Sequence, residues 1–234
     1  MLFHLQPKNA YINDINADLM RVYRIIRDNV NELIALLTTY PNEQDFYYAI
    51  RDLDRDSEKY ARLSEIEKAA RIIYLNKTCF NGLYRVNNAG EFNSPFGYYK
   101  NPNIVNAPVL RAVSTYFNKN TVFLTSDDYA QVLRILPEGA FVYLDPPYDP
   151  VSTTANFTGY TRGGFSKEEQ IRLRHCCDEL NERGIHFMLS NSATDFIMEQ
   201  YASYSITVVH AKRAINADAT KRGNVNEVVV RNYE

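Results

Sequence analysis

An acid, two prolines and a tyrosine, Asp145-Pro146-Pro147-Tyr148, follow the apolar run Ala140-Phe141-Val142-Tyr143-Leu144. A short, uninterrupted apolar run of this kind reads as a strand buried in a parallel sheet. The tetrapeptide then sits at the carboxyl end of a central strand, where open α/β sheets hold their ligands. Two consecutive prolines remove two backbone donors and set φ twice. What remains is a stiff row of acceptors, the Asp145 carboxylate and then backbone carbonyls, beside a flat ring. Such a row suits a neutral planar group that carries an amine, as a nucleobase does. The competing reading is a proline-rich turn that merely ends a strand.

The elements that would position this row can be read from hydrophobic spacing. Residues 8–14 look like a short strand ending at Asp14. Leu19, Val22, Ile25, Ile26, Leu33, Leu36 and Leu37 recur at helical spacing and predict a helix over 17–38. Residues 45–79 read as charged helix with a break near Asp56-Ser57, and 80–103 as loop, with turn signals at Asn81-Gly82 and Ala89-Gly90. Thr121–Thr125 reads as a strand, followed by a short helix around 128–136 and then by the strand ahead of Asp145. Residues 149–165 form a long unpatterned stretch, a length at which loops are usually functional or disordered. Ser166-Lys167-Glu168-Glu169 is a capping-box pattern opening a helix to about Glu182, which Gly184 stops. Residues 185–190, 205–211 and 226–232 read as strands, the last two flanking a basic loop with Lys212, Arg213, Lys221 and Arg222. Strands alternating with helices imply a mostly parallel α/β sheet, closed here by an antiparallel hairpin.

Composition narrows the classes. A chain of 234 residues suits one large domain, or one domain with an inserted lobe. Its 45% hydrophobic content supports a core, and no apolar run is long enough to span a membrane. The start has no basic and apolar leader pattern. Three cysteines, two of them adjacent, argue against a disulfide framework and suit a reducing cytoplasm. The four histidines are scattered without metal-ligand spacing. Net charge is only −2, but Ala70–Asn120 holds six basic residues against the single acid Glu91. Tyr74, Phe80, Tyr84, Phe92, Phe96, Tyr98 and Tyr99 are interleaved with these charges. Base stacking, phosphate contact and base-edge reading use such a mixture, although a solvated loop would also tolerate it.

Two further acids lie where a parallel sheet places cofactor contacts. Asp14 ends the first strand and could bind a ribose diol. Asp128 follows the Thr121–Thr125 strand, where a side chain could touch an adenine ring. Either could instead cap a helix.

The blocks Asn13-Asp14-Ile15-Asn16, Phe80-Asn81-Gly82-Leu83-Tyr84-Arg85-Val86-Asn87 and Gly90-Glu91-Phe92-Asn93-Ser94-Pro95-Phe96-Gly97-Tyr98-Tyr99-Lys100, together with the Asp145–Tyr148 motif, resemble the Dam-type DNA adenine-N6 methyltransferases of the α-group, D12 class. The resemblance covers essentially the whole chain, and Phe80–Arg85 is its most specific part. It implies a Rossmann-like methyltransferase sheet from residues 1–40 and 121–234, with 41–120 as a helical target-recognition insert. It implies methylation of adenine N6 in double-stranded DNA at GATC, with S-adenosylmethionine as cofactor and no metal. Asp14 would hold the cofactor ribose, Asp128 would sit by its adenine, and Asp145 would also border the cofactor. Asp145 and the Pro146 carbonyl would accept from the target amine, within the motif completed by Pro147, and Tyr148 would stack on the base. Phe80 would wedge into the duplex and Asn81 would contact the orphaned base. Arg85 would read a guanine, and Leu83 and Pro95 a thymine methyl. A restriction endonuclease is a possible partner, a membrane is not, and the setting would be a bacterial or phage-encoded cytoplasmic enzyme. DPPY-like motifs also serve enzymes acting on cytosine N4 or on RNA adenine, against which the Phe80–Arg85 block argues.

The chain departs from that family at its start. No glycine precedes Gly82, so the family's FxGxG-like turn, and the Lys-Trp-x-Gly-Gly-Lys-like segment ahead of it, have no counterpart. The expectation is that the first central strand is missing, between the strand ending at Asp14 and the one ending at Asp145. Four buried side chains fewer would cost roughly 6–12 kcal/mol, at about 1.5–3 each, against a typical total stability of about 5–15 kcal/mol. An inactive, N-terminally truncated remnant that keeps DNA binding is therefore the alternative function.

Overall fold

A computed structural model describes residues 1–151, 164–212 and 224–234. The chain forms two compact units, Met1–Tyr129 and Ala130–Glu234.

The first unit begins with a helical turn, α1 (Leu2–Leu5), and strand β1 (Asn9–Asn13). Helix α2 (Ala17–Asp28) starts at Asn16, whose side chain accepts the Asp18 and Leu19 amides. The spacing over 17–38 predicts one helix, but Asn29 leaves helical geometry (φ −136, ψ 37) and a second helix, α3 (Val30–Thr38), follows. The apolar spacing is continuous through that bend, so it carries no sign of the break. Helix α4 (Gln44–Arg51) runs into a 3-10 turn at Asp52–Arg55, and Asp56 then caps α5 (Ser57–Arg62). The break thus falls where it was expected. A reciprocal capping box between Ser64 and Glu67 opens α6 (Glu65–Thr78). Helix α7 (Ala107–Lys119) is not among the elements expected from hydrophobic spacing; its signals are an Asn106 cap and a proline in its first turn. Strand β2 (Thr121–Thr125) closes the unit and pairs parallel to β1 from Asn9↔Thr121 to Asn13↔Thr125. Tyr47, Tyr74, Leu33, Leu37, Leu75 and Phe92 centre one core. Ala10, Tyr116, Phe117 and Val122 form a second beneath the ladder.

The second unit holds α8 (Tyr129–Arg134) from its second residue on, β3 (Phe141–Leu144), α9 (Lys167–Glu182), β4 (His186–Ser192), α10 (Asp195–Gln200), β5 (Ser205–Lys212) and β6 (Asn224–Arg231). The strand order is β3-β4-β6-β5. The β3 and β4 strands are parallel, and β6 runs antiparallel to both β4 and β5. The strand pattern implies a mostly parallel sheet closed by an antiparallel hairpin; the hairpin is present, but of the three described pairings in this sheet only β3 with β4 is parallel. Ser166 caps α9, and Gly184 ends the turn after it at φ +67, a conformation glycine adopts without strain. Leu173, Cys177, Leu180, Phe187, Leu189, Val228 and Val230 are buried in its core.

Among the described residues the strands form two separate ladders. Most of the loop read over 149–165, and the basic loop after β5 except Lys212, lie outside the described residues. No described helix is long and apolar enough to cross a membrane. No three described His, Cys, Asp or Glu side chains group to hold a metal.

Candidate active site and nucleic-acid interface

Asp145–Tyr148 leaves the carboxyl end of β3, beside the parallel strand β4. The end of β4 is polar: Ser190, Asn191 and Ser192 are all buried. Alternation along a strand sends Ser190 to one face and Asn191 to the other. Ser190 Oγ donates to Asp145 Oδ1 at 2.7 Å, and the Tyr143 hydroxyl lies 3.3 Å from the same Oγ. Asp145 itself is exposed and Tyr148 is half-buried. Burial pushes the Tyr148 phenol upward, a hydrogen bond with Ser190 opposes the shift, and the Asp145 charge adds to it.

On the other face Asn191, wholly buried, holds the motif by its backbone. Its Oδ1 accepts the Asp149 amide at 2.9 Å and its Nδ2 donates to Gln170 Oε1 at 3.1 Å. Gln170, on α9, donates in turn to the Pro147 carbonyl at 2.9 Å. The buried Asp149 carboxylate accepts from Thr194 Oγ1 at 2.7 Å. The motif is thus fixed at both ends by side chains that sequence reasoning missed. Their one visible signal is the polar Ser190-Asn191-Ser192 run ending β4, of which Ser190 and Asn191 are satisfied by this buried network.

In the first unit, Asp14 and Asp128 follow neighbouring parallel strands and so leave the same end of one ladder. Asn13 ties that end together: its Oδ1 accepts the Asp127 amide at 2.9 Å and its Nδ2 donates to the Asp127 carbonyl at 3.0 Å. The Asp14 amide reaches the Thr125 carbonyl, and Asp14 Oδ1 accepts the Asn16 amide at 2.8 Å. The cap of α2 is Asn16, so Asp14 does not serve as that cap.

The two basic-aromatic blocks read separately in the sequence fold onto each other. Cys79 bridges Phe96 and Val86 bridges Phe92 as isolated antiparallel pairs. The Phe80 amide donates to the Pro95 carbonyl at 2.8 Å, and the Asn93 amide to the Arg85 carbonyl at 2.9 Å. A methyl group on Gly97 would meet the Cys79 carbonyl oxygen at 2.7 Å, so only glycine allows this close pass. Asn81 takes a left-handed conformation at φ +57. Phe80, Asn81, Arg85 and Pro95 are exposed and Leu83 is half-buried. Asn93 braces Arg85: its Oδ1 accepts from Arg85 Nε at 2.7 Å. Beneath the blocks, buried Arg71 pairs with Asp54 at 2.6 Å, and Asp54 Oδ2 accepts the Phe92 amide at 2.8 Å. The Tyr47 hydroxyl donates to the Ser94 carbonyl at 2.8 Å, and Ser94 Oγ donates to the Leu83 carbonyl. An exposed ring, an amide and a guanidinium are therefore presented on a braced hairpin-like frame.

Comparison with known proteins adds an independent line. Residues 1–215 match the family described as D12 class N6 adenine-specific DNA methyltransferase. The chain is 42% identical over 235 residues to the type II methyltransferase M1.LlaDCHI of Lactococcus lactis subsp. cremoris, covering 100% of this chain and 82% of that protein. It is 40% identical over 248 residues to the type II methyltransferase M.MjaIII of Methanocaldococcus jannaschii, covering 100% and 84%. It is 33% identical over 220 residues to the DNA adenine methylase of Escherichia coli K12, covering 92% and 76%.

Proposed function

Because this chain belongs to the D12 class N6 adenine-specific DNA methyltransferases, we propose that it transfers the methyl group of S-adenosylmethionine to adenine N6 in double-stranded DNA, at GATC. The observation that carries this reading is the acceptor row at the end of β3. Asp145 is held by Ser190. Following the family resemblance, we pair the Pro146 carbonyl with Asp145 to receive the target amine; Gln170 steadies the same segment through the Pro147 carbonyl.

An adenine amine is a weak nucleophile because its lone pair is delocalised into the ring. Two acceptors in line with its N–H bonds draw the nitrogen toward tetrahedral geometry and localise that pair. Asp145 and Pro146 act by placement and electrostatics, on a segment too stiff to follow the amine elsewhere, and the surplus proton leaves N6 for solvent after the methyl has transferred. Tyr148 stacks on the base. A duplex hides its amines, so the base must be turned out at a cost of about a few kcal/mol. Exposed Phe80 fills the gap and Asn81 meets the orphaned base. Arg85 reads a guanine, a contact worth about 1–3 kcal/mol of discrimination, and Leu83 and Pro95 touch a thymine methyl. We assign this recognition to residues 41–120, as an insert in a catalytic domain of residues 1–40 and 121–234.

When bound, S-adenosylmethionine supplies an electrophilic methyl on a sulfonium whose leaving group is a neutral thioether. Asp14 and Asp128 fit that cofactor chemically: both are half-buried carboxylates at the carboxyl end of a parallel ladder, suited to a ribose diol and to an adenine edge. A type II restriction endonuclease of the same specificity and a cytoplasmic setting complete the proposal.

A second reading, a DNA-binding remnant without transfer, is favoured by the pairing of β1 with β2 alone and of β3 with β4 alone among the described strands. Each of those edge strands is parallel to its one partner, and parallel sheets are normally buried and continuous. Incubating the chain with S-adenosylmethionine and a GATC duplex, then identifying the methylated base by mass spectrometry, separates the two. N6-methyladenine, lost in Asp145→Ala with DNA binding retained, supports the first. GATC-specific binding with no modified base supports the second.

A further inference from the structure

The hydroxyl of Ser190 has one proton, and at 2.7 Å from Asp145 Oδ1 it goes to the carboxylate. The contact between Tyr143 and Ser190 at 3.3 Å can then run only one way, with the phenol donating to Ser190 Oγ. The three groups form a directed chain across neighbouring parallel strands, Tyr143 to Ser190 to Asp145. The anchor is rigid, because Ser190 is 8% exposed inside β4, and its neighbour Asn191 locks the same strand to the motif backbone. Asp145, by contrast, is exposed, so nothing but this chain holds its carboxylate plane among the contacts described.

We propose that Ser190, itself oriented by Tyr143, is a positioning residue for methyl transfer: it fixes one carboxylate oxygen of Asp145 so that the other is aimed at the target amine. This rests on the methyl-transfer reading above. An acceptor that can rotate loses the alignment on which its effect depends, and a misplacement near 1 Å costs about 100-fold in rate. Ser190 does not itself touch the substrate; because it also hydrogen-bonds the Tyr148 phenol, the test reads KM and duplex affinity beside kcat, and a loss confined to kcat assigns the effect to Asp145.

The test compares wild type with Ser190→Ala, Ser190→Thr and Tyr143→Phe. Transfer from radiolabelled S-adenosylmethionine to a GATC duplex gives kcat and KM, and fluorescence anisotropy gives duplex affinity. Ser190→Ala is expected to lower kcat by about 10- to 100-fold, with KM and duplex affinity within about twofold. Ser190→Thr, which keeps the hydroxyl, restores most of the rate, and Tyr143→Phe gives a smaller loss in kcat alone. Wild-type kcat in Ser190→Ala overturns the proposal. So does an equal loss in the Ala and Thr variants, or a loss that tracks duplex affinity, because each marks general damage to the strand. Absence of transfer by the wild-type chain overturns the functional reading itself and this inference with it, whereas a defect confined to Ser190→Ala leaves the reading standing.

Discussion

Replacing Asn191 with alanine tests whether the buried amide network holds the Asp145–Tyr148 segment. In the native chain Asn191 Oδ1 accepts the amide of Asp149, which is 5% exposed, and Nδ2 satisfies Oε1 of Gln170, which is 1% exposed. Asn191→Ala leaves both groups buried without that partner, and each such orphan costs about 1–3 kcal/mol. The expected loss is about 2–6 kcal/mol, a large part of a typical domain's stability of about 5–15 kcal/mol. Gln170→Ala is milder, near 1–3 kcal/mol, because the Pro147 carbonyl that it releases belongs to an exposed residue that water can reach. The two side chains share one hydrogen bond, so the double variant should lose less than the sum of the singles, by about 0.5–3 kcal/mol. Hydrogen exchange read on peptides spanning 141–151 measures this opening locally, which suits a chain of two units better than one global transition. A loss below about 1 kcal/mol for Asn191→Ala, or strict additivity in the double variant, refutes the reasoning.

Arg71→Ala should destabilise the first unit by about 1–3 kcal/mol: the Asp54 carboxylate loses one partner but keeps Arg55 and the Phe92 amide, and the Ile50 and Arg51 carbonyls lose their buried donor; a denaturant titration checks this. Arg85→Ala should reduce the preference for GATC over a guanine-substituted duplex by about 1–3 kcal/mol while leaving non-specific binding in place, as competition binding would show. Burial raises the Asp178 pKa, but hydrogen bonds from Arg174 and Tyr204 and the Arg174 charge outweigh it and hold it below the usual carboxylate range. With the folded value below the unfolded one, the stabilisation is complete above the unfolded pKa and vanishes as pH falls through the folded pKa. The separation in urea midpoint between wild type and Asp178→Asn should therefore be full at ~pH 7 and shrink as pH falls below the ordinary carboxylate pKa of about 3.9. Burial pushes the Cys79 thiol to about 11 and Cys177 to about 12, so these two buried cysteines should resist an aromatic disulfide reagent at ~pH 8 until the chain unfolds.

How much of this was legible depended on the range of the interaction involved. The strands over 121–125 and 141–144, the helix opened by Ser166 and the break at Asp56 were written in local pattern, where apolar period and capping chemistry act within one turn. The bend at Asn29 and the helix over 107–119 are not marked by apolar spacing: it runs on through the first, and the signals of the second are a capping Asn106 and a first-turn proline. The Phe80–Arg85 and Gly90–Lys100 blocks were recognised as residue types, but their pairing was not. That pairing depends on a backbone approach at Gly97 and on a buried Arg71–Asp54 pair drawn from other helices.

The chain's own order of residues determined which chemistry is on offer: a proline-stiffened acceptor row beside a ring, and exposed aromatics among basic residues. Those properties reside in single side chains and short backbone segments, and they survive in any fold that exposes them. Only the tertiary structure decided which oxygen of Asp145 is held, which proline carbonyl is engaged and what braces Arg85. Ser190 lies 45 residues from Asp145, and Gln170 lies 23 from Pro147. Contacts at such separations are set by strand register and helix packing, which no local pattern encodes.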